Sequence, residues 1–193
     1  MTQTLLLLPG DGIGPEVTEQ ARRIADLVAP DIRITADLVG GASIDQHGTP
    51  LTDATLALAK SSDAVLLGAV GGPKWADVDR DKRPEMGLLG LRKGLDVFAN
   101  LRPAYCFAAL TDASSLKRDR IEGLDIMIVR ELTSGVYFGE PRGIDTDESG
   151  MRRGYDMSIY TAAEVERVTR VALEIARGRD GRVCSVDKSN VME

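Results

Sequence analysis

In the first seventy residues, short runs of consecutive apolar residues alternate with segments in which apolar residues recur every three or four positions. The runs TLLLL, IRITADLVGG and DAVLLGAVGG predict strands, because short apolar runs bounded by loop residues are typical of buried strands. Residues 51–60 predict a short helix, and an earlier helix is indicated by three- and four-residue steps between Val17, Ala21, Ile24 and Val28. Strands alternating with helices indicate a parallel sheet covered by helices, so we predict an α/β fold for this part.

The middle of the chain predicts a helix followed by a series of strands. Residues 83–100 show helical spacing, and we expect this helix to end near Asn100. Arg102 precedes Pro103, and the residue before a proline is pushed into extended geometry, so Arg102 should begin a strand. The apolar segments RPAYCFAAL, LDIMIVREL and GVYFGEPRG then predict strands.

The last fifty residues predict a hairpin, a helix and a final strand. Residues 143–160 are polar and contain the alternating segment GYDMSIY, which predicts an exposed hairpin that packs on another surface. Thr161 and Glu164 have the spacing of a capping box, and Gly178 marks the end of the helix that follows. The segment GRVCSVDKSNVME predicts a strand with no helix after it to cover it, so we expect the chain to be part of a longer protein.

Composition excludes several classes of function. The net charge is −6, no basic block is present and aromatic residues make up 4%, so no nucleic-acid partner is expected. The longest apolar run, Leu5–Leu8, is too short to span a bilayer, and no signal-peptide pattern is present, so no membrane association is expected. Cys106 and Cys184 are interpreted as reduced core residues of a cytoplasmic protein, and His47 is expected in a surface loop.

Two glycine-rich segments follow predicted strands. GDGIGPE departs from the G-x-G-x-x-G dinucleotide fingerprint, because Pro15 stands at the last glycine position and no acidic residue ends the second strand. GAVGGPKW places Gly71 and Gly72 directly after the third strand. Each segment fits either a structural turn or a backbone that approaches a flat ligand closely.

Three arginines lie near the ends of predicted elements, at Arg92, Arg102 and Arg130. A desolvated guanidinium needs an anionic partner, and for any one of them an internal carboxylate is the simpler partner. Together with Lys188 they favour a pocket for a dicarboxylate, because arginine binds a carboxylate through two parallel hydrogen bonds. Tyr137 and Lys188 are the candidates for proton transfer in such a pocket.

Five segments, in order along the chain, resemble the isocitrate/isopropylmalate dehydrogenase family of β-decarboxylating dehydrogenases: LLPGDGIGPEV, GAVGGPKW, RPEMGLLGLRKGLDVFANLRP, VRELTSGVYFGEPRG and SVDKSNVME. The resemblance implies a parallel-sheet, cofactor-side first domain over residues 1–100 and an incomplete α/β second domain over residues 101–193. It also implies a dimerisation arm over about residues 143–160. The implied reaction oxidises a malate-type 2-hydroxy acid with NAD and then decarboxylates the product with the help of Mg²⁺ or Mn²⁺.

The resemblance assigns roles to individual positions. The carboxylate clamp falls on Arg92, Arg102 and Arg130, and proton transfer falls on Tyr137 and Lys188. The other substrate-side positions are Glu85, Leu88, Asn190 and Val191. The cofactor-facing positions are Ile13, Gly71, Gly72, Pro73 and Lys74.

The substrate expected from the resemblance is 3-isopropylmalate, an intermediate of leucine biosynthesis. Leu88 and Leu89 offer an apolar wall for an isopropyl group, where isocitrate enzymes place polar residues for a third carboxylate. Two alternatives stay open: a tartrate- or D-malate-type dehydrogenase, and a non-catalytic fragment that only binds a carboxylate.

The resemblance also implies features that depend on more than this chain. Family members are homodimers with shared active sites, in which the lysine matching Lys188 acts in the site of the partner subunit. They are roughly twice as long as these 193 residues. The metal-binding aspartates are expected beyond Glu193, so the isolated chain is not expected to turn over substrate.

Overall fold

The computed structural model describes residues 2–187 and 190–191. The chain divides into two compact units, an amino-terminal unit (Met1–Asp96) and a carboxyl-terminal unit (Val97–Glu193). The domain boundary predicted at residue 100 for the complete enzyme remains a prediction. Within the described part of the chain, no helix is long and apolar enough to cross a membrane.

A three-stranded parallel sheet forms the centre of the amino-terminal unit. Its strands are β1 (Thr4–Gly10), β2 (Arg33–Ala36) and β3 (Ala64–Ala69), in the order β2-β1-β3. β1 lies between the other two strands, and Leu6 and Leu8 are fully buried in the core. This arrangement confirms the α/β fold predicted from the apolar runs.

Four helices belong to this unit: α1 (Gly14–Val28), α2 (Gly41–His47), α3 (Asp53–Ser61) and α4 (Pro84–Gly94). Short 3-10 turns at Pro73–Trp75 and Arg80–Lys82 lie between β3 and α4. The buried core joins the sheet to α3 and α4 through Ala59 and Leu91. Burial of these aliphatic side chains is the main source of stability for the unit.

Only Ala21 of the apolar stripe predicted for α1 lies on the face that packs on the sheet. The buried residues of α1 are Gly14 and Thr18, and Ala21 and Ala25 continue that face in half-buried positions. These small side chains let the helix lie close to the sheet. Ile24 and Val28, from the predicted stripe, are instead exposed.

Helix α4 ends earlier than the sequence predicts. It stops at Gly94, Asp96 adopts a left-handed conformation with φ 50°, and Asn100 already lies in a strand. A residue with positive φ cannot continue a right-handed helix, which explains the early end. His47 also departs from the prediction, because it is the exposed last residue of α2 instead of part of a loop.

The described residues of the carboxyl-terminal unit form two antiparallel strand pairs and two α-helices. Strands β4 (Ala99–Tyr105) and β5 (Asp125–Glu131) pair with each other, as do β6 (Arg142–Thr146) and β7 (Arg152–Asp156). The β6–β7 pair confirms the predicted hairpin. The helices are α5 (Arg118–Ile121) and α6 (Ala162–Arg177), and α6 packs on β5.

Two predicted strands of this unit are wrong. The segment GVYFGEPRG begins with a 3-10 turn at Gly135–Tyr137, and only its last residues enter β6. Residues 182–187 have no regular structure and Cys184 is exposed, so its assignment to the core is also wrong. A strand requires a hydrogen-bonded neighbour, and the described residues provide none for this segment.

Candidate active site

Two loops of the amino-terminal unit lie side by side where their strands end. β1 and β3 are parallel and Gly10 pairs with Ala69, so the loop containing Ile13 and the loop after β3 leave the same edge of the sheet. Ile13 is exposed at the start of α1, and Gly71 has a positive φ of 98° that favours glycine. The structure therefore brings the two predicted cofactor-facing segments to one edge, where α/β proteins place ligands.

A buried aspartate that the sequence analysis did not single out connects these loops. The carboxylate of Asp11 accepts hydrogen bonds from the backbone N–H groups of Gly41 (2.8 Å), Ala42 (2.7 Å) and Gly71 (2.8 Å). Asp11 also donates its own N–H to the carbonyl of Ala69 at 2.6 Å. One side chain thus joins the ends of β1 and β3 to the start of α2.

The far end of the loop after β3 is held by a second aspartate. Lys74 Nζ lies 2.5 Å from Asp45 Oδ2, and Trp75 Nε1 donates to Asp45 Oδ1 at 3.2 Å. The hydrogen bond from Lys74 is the main cause that lowers the pKa of Asp45 below its usual range. Lys74, predicted to face the cofactor, is therefore engaged within the protein.

Glu85 brings the substrate-side positions next to the cofactor-side ones. A Cβ atom placed on Gly71 would lie 2.6 Å from Glu85 Oε1, so the carboxylate and this loop are in direct proximity. An open cavity of about 390 Å³ lies here, which is within the usual size of small-molecule sites. It is lined by Gly72, Trp75, Ala76, Arg83, Pro84 and Glu85.

Helix α4 presents three predicted substrate residues along one stripe. Glu85, Leu88 and Arg92 are separated by three and four residues, which places them on the same side of a helix. The core-facing stripe, Pro84, Gly87 and Leu91, runs beside it and fixes the rotation of the helix. The stripe therefore holds a carboxylate, a half-buried leucine and a guanidinium in a row.

Two arginines converge on the β4–β5 pair of the carboxyl-terminal unit. Asn100 lies opposite Arg130, and Arg102 lies opposite Ile128, so Arg102 and Arg130 are diagonal neighbours on one face. Such neighbours are about 7–8 Å apart. Arg102 Nε donates to Asn100 Oδ1 at 2.6 Å. Within the described residues neither arginine forms an ion pair with a carboxylate. The simpler alternative, an internal carboxylate partner, therefore does not apply to these two arginines.

Tyr137 joins this pair of arginines. The guanidinium of Arg130 lies 5.0 Å from the centroid of the Tyr137 ring, in the range of a cation–π contact. The 3-10 turn that carries Tyr137 begins at Gly135, whose φ of 70° favours glycine and whose Cα packs against Tyr160. Arg102, Arg130 and Tyr137 thus form one cluster, which we call the arginine–tyrosine cluster.

The roles predicted for Arg92, Lys188, Asn190 and Val191 remain predictions. Arg92 belongs to the amino-terminal unit, and its place in a three-arginine clamp remains a prediction. Asn190 and Val191 are exposed, and Lys188 lies outside the described residues. The residues that the structure describes contain no group of three or more His, Cys, Asp or Glu side chains able to hold a metal, so they do not by themselves fit the divalent metal that the resemblance implies.

A family model described as isocitrate/isopropylmalate dehydrogenase matches residues 4–193. A protein from Caulobacter vibrioides named 3-isopropylmalate dehydrogenase is 64% identical over 190 residues, covering 98% of this chain and 54% of the relative. A protein of the same name from Hydrogenovibrio crunogenus is 55% identical, covering 100% of this chain and 55% of the relative. The chain therefore spans about half the length of these relatives.

Solved structures give the same assignment. A β-decarboxylating dehydrogenase from Thermococcus kodakarensis superposes with a TM-score of 0.70 at 31% identity, covering 98% of this chain and 50% of that one. An isocitrate dehydrogenase from Methylococcus capsulatus gives 0.75 at 25% identity, covering 91% and 48%. Because the family model spans nearly every residue, the chain belongs to the isocitrate/isopropylmalate dehydrogenase family.

Proposed function

We propose that this chain supplies the substrate-reading residues of an NAD-dependent 3-isopropylmalate dehydrogenase, which oxidises and decarboxylates 3-isopropylmalate to 4-methyl-2-oxopentanoate in leucine biosynthesis. The observation that carries the proposal is the stripe of α4, where an apolar residue, Leu88, stands between Glu85 and Arg92. Such a stripe suits a malate with an apolar substituent better than one with a third carboxylate. The names of the relatives agree with this substrate.

The arginines supply the recognition of the malate carboxylates. Arg102 and Arg130 share one face of β4–β5 and have no internal carboxylate partner among the described residues, which leaves their donors available to an anion. Guanidinium groups bind carboxylates through paired, charge-assisted hydrogen bonds. Arg92 is proposed as the third member of the clamp.

Tyr137 is proposed as the acid that protonates the enol left by decarboxylation. Its ring is held by Arg130, which also binds substrate in this proposal, so the phenol is kept beside the reacting carbon. Lys188 is proposed as the base for the substrate hydroxyl, acting in the site of a partner subunit. Proton transfer requires each group to lie within hydrogen-bond reach of the atom it serves.

The loop after β3 is proposed to face NAD, which supplies the hydride acceptor when bound. Gly71 and Gly72 carry no side chains, so a flat ring can approach their backbone closely. Ile13, from the adjacent loop, offers an exposed apolar surface to the same edge. Pro73 and Lys74 shape the loop, and the ion pair with Asp45 fixes the end of it.

The test is an assay of the chain produced together with the carboxyl-terminal half of the Caulobacter relative. We expect NADH formation, measured by absorbance, with 3-isopropylmalate and Mg²⁺ or Mn²⁺. Arg102→Met should raise the KM for 3-isopropylmalate at least about tenfold, since a hydrogen bond to a charged group contributes about 1.5–3 kcal/mol and about 1.4 kcal/mol is tenfold. Arg120→Met, at an exposed arginine of α5, is the matched control and should leave KM unchanged.

Each alternative predicts a different result in the same assay. Faster turnover of D-malate or tartrate than of 3-isopropylmalate would replace the proposed substrate. Absence of NADH formation with every malate would favour a non-catalytic carboxylate-binding protein. Activity of the 193-residue chain alone would contradict the expectation that the isolated chain is inactive.

A further inference from the structure

We propose that Asp11 is the positioning residue of the loop formed by residues 71–75, and through that loop of the NAD site. This inference rests on the proposed function for the identity of the ligand. Asp11 is only 4% exposed, and its carboxylate is directed at backbone N–H groups instead of at solvent. A buried carboxylate with three backbone donors fixes all three donors relative to one another.

The backbone at the start of α2 encloses the carboxylate of Asp11. A Cβ atom on Gly40 would be 2.6 Å from Asp11 Oδ2, so the glycine backbone closes over the carboxylate. Gly40 precedes α2 and has no side chain to cap it, and the amides of Gly41 and Ala42 are satisfied by Asp11. Asp11 therefore caps α2: it accepts hydrogen bonds from the first N–H groups of the helix, a role that the residue just before a helix ordinarily fills.

The same helix then holds the other end of the loop. Asp45 lies on α2 and binds both Lys74 and Trp75. The Trp75 ring packs directly on Gly41, where any side chain would overlap it. The loop after β3 is therefore attached to α2 at both of its ends, at Gly71 through Asp11 and at Lys74 and Trp75 through Asp45.

Asp11→Asn is the variant that tests this arrangement. The amide has the shape of the carboxylate, but its NH₂ group must face at least one backbone N–H, so one of the three contacts becomes donor against donor. Gly71 and the start of α2 should both loosen. Because a loosened loop must be ordered when NAD binds, and about 1.4 kcal/mol of ordering cost is a tenfold change, we expect the KM for NAD to rise at least about tenfold.

Asp63→Asn is the matched control at the opposite edge of the same sheet. Asp63 also accepts a backbone hydrogen bond, from Thr4 at 2.7 Å, together with one from the Thr4 hydroxyl at 2.9 Å. Thr4 begins β1 and Asp63 immediately precedes β3, so this aspartate joins the amino ends of these strands. Its replacement weakens the same sheet without touching the loop of residues 71–75.

The first measurement is amide hydrogen exchange on the 193-residue chain. Asp11→Asn should speed exchange at the amides of residues 41–42, 71–72 and 74–75 at least about tenfold over Asp63→Asn, since local opening follows the local contacts. Equal exchange in the two variants would overturn the inference. This readout is independent of turnover, so an inactive wild-type enzyme would refute only the proposed function.

The second measurement is kinetic and uses the assembled enzyme of the preceding assay. Asp11→Asn should raise the KM for NAD while the KM for 3-isopropylmalate changes less than about twofold, a split that general destabilisation does not produce. If Asp11→Asn does not fold, Gly41→Ala tests the same loop by displacing Trp75 and should give the same split. An unchanged KM for NAD in an active, folded variant would overturn the inference.

Discussion

Ser43 is the clearest case in which a single side chain works against stability. It lies on α2, is fully buried, and its hydroxyl has no hydrogen-bond partner among the described residues. A buried polar group without a partner costs about 1–3 kcal/mol. Ser43→Ala should therefore raise the free energy of unfolding by about 1 kcal/mol, measured by urea denaturation of the chain.

Ser61→Ala is the control for that substitution. Ser61 ends α3, is exposed, and donates to the carbonyl of Leu58 at 2.9 Å. Its replacement should change the free energy of unfolding by less than about 0.5 kcal/mol. A loss of stability in Ser43→Ala larger than that of Ser61→Ala would show that the Ser43 hydroxyl has a partner in solution.

For single residues, the sequence predicted which side chains belong to a candidate site better than it predicted what those side chains contact. Arg102 and Arg130 were expected near one another, and the register of β4 and β5 places them on one face. Asp11 was passed over inside GDGIGPE, because its partners Gly41 and Gly71 are 30 and 60 positions away and contribute only backbone N–H groups. A contact between a side chain and the backbone N–H groups of distant residues leaves no pattern in the sequence.

At the scale of elements, the start of α6 depends on a reciprocal cap. Thr161 N donates to Glu164 Oε2 at 2.7 Å, and the Thr161 hydroxyl accepts from the N–H of Glu164 at 3.3 Å. Thr161→Ala removes the hydroxyl and should lower the free energy of unfolding by about 1 kcal/mol. Urea denaturation at neutral pH measures the loss.

The same cap should make stability depend on pH. Hydrogen bonds from the Thr161 backbone N–H and then from its hydroxyl lower the pKa of Glu164. Glutamate in an unfolded chain has a pKa of about 4.3, so the stabilisation is complete above that value and is lost as the pH falls through the lower folded pKa. Glu164→Gln should be less stable than the wild type at pH about 7, and the difference should vanish in acid.

Glu174→Gln is the control within the same helix. Glu174 pairs with Arg177 at 3.0 Å, but both side chains are largely exposed, and such pairs contribute little. The control should lose less stability than Glu164→Gln at neutral pH. A difference between Glu164→Gln and the wild type that persists in acid would contradict a role for the ionised carboxylate in the cap.

Comparison of α6 with α2 shows which elements the sequence can predict. The cap of α6 lies within four residues of the helix start, and Thr161 and Glu164 predicted it correctly. The cap of α2 comes from Asp11, so nothing beside Gly41–His47 indicated a helix and His47 was placed in a loop. Local signals predict local structure, and a helix stabilised from elsewhere in the chain escapes them.

Over the whole molecule, the spacing of apolar residues identified helices but not the face with which each helix packs on its neighbours. The spacing of Val17, Ile24 and Val28 correctly indicated a helix, yet small residues on another side of α1 pack on the sheet. In the same way, the segments 135–143 and 181–193 resembled strands in the sequence, although a strand also requires a partner from a distant part of the chain. The parallel pairing of β1, β2 and β3 was predictable because strands and helices alternate along this part of the chain, although β2 is largely exposed.

The β6–β7 hairpin has features that suit contact with a second copy. Ile144 and Met151 are 71% and 67% exposed, and β6 and β7 pair only with each other among the described residues. Exposed strand edges with apolar side chains favour pairing with another chain. We therefore expect the proposed homodimer to form through the segment of residues 143–160.

Ile144→Asp tests that expectation in the assembled enzyme. An isoleucine contributes about 1.5–3 kcal/mol when fully buried, so a charge at this position should weaken dimerisation at least about tenfold, measured by sedimentation equilibrium. Glu122→Gln, at an exposed residue after α5 and outside the hairpin, is the control and should leave the dimer intact. Because Lys188 is proposed to act in the partner's site, turnover should fall with the fraction of dimer. A variant that dimerises like the control, or a monomer with full activity, would rule out the shared site.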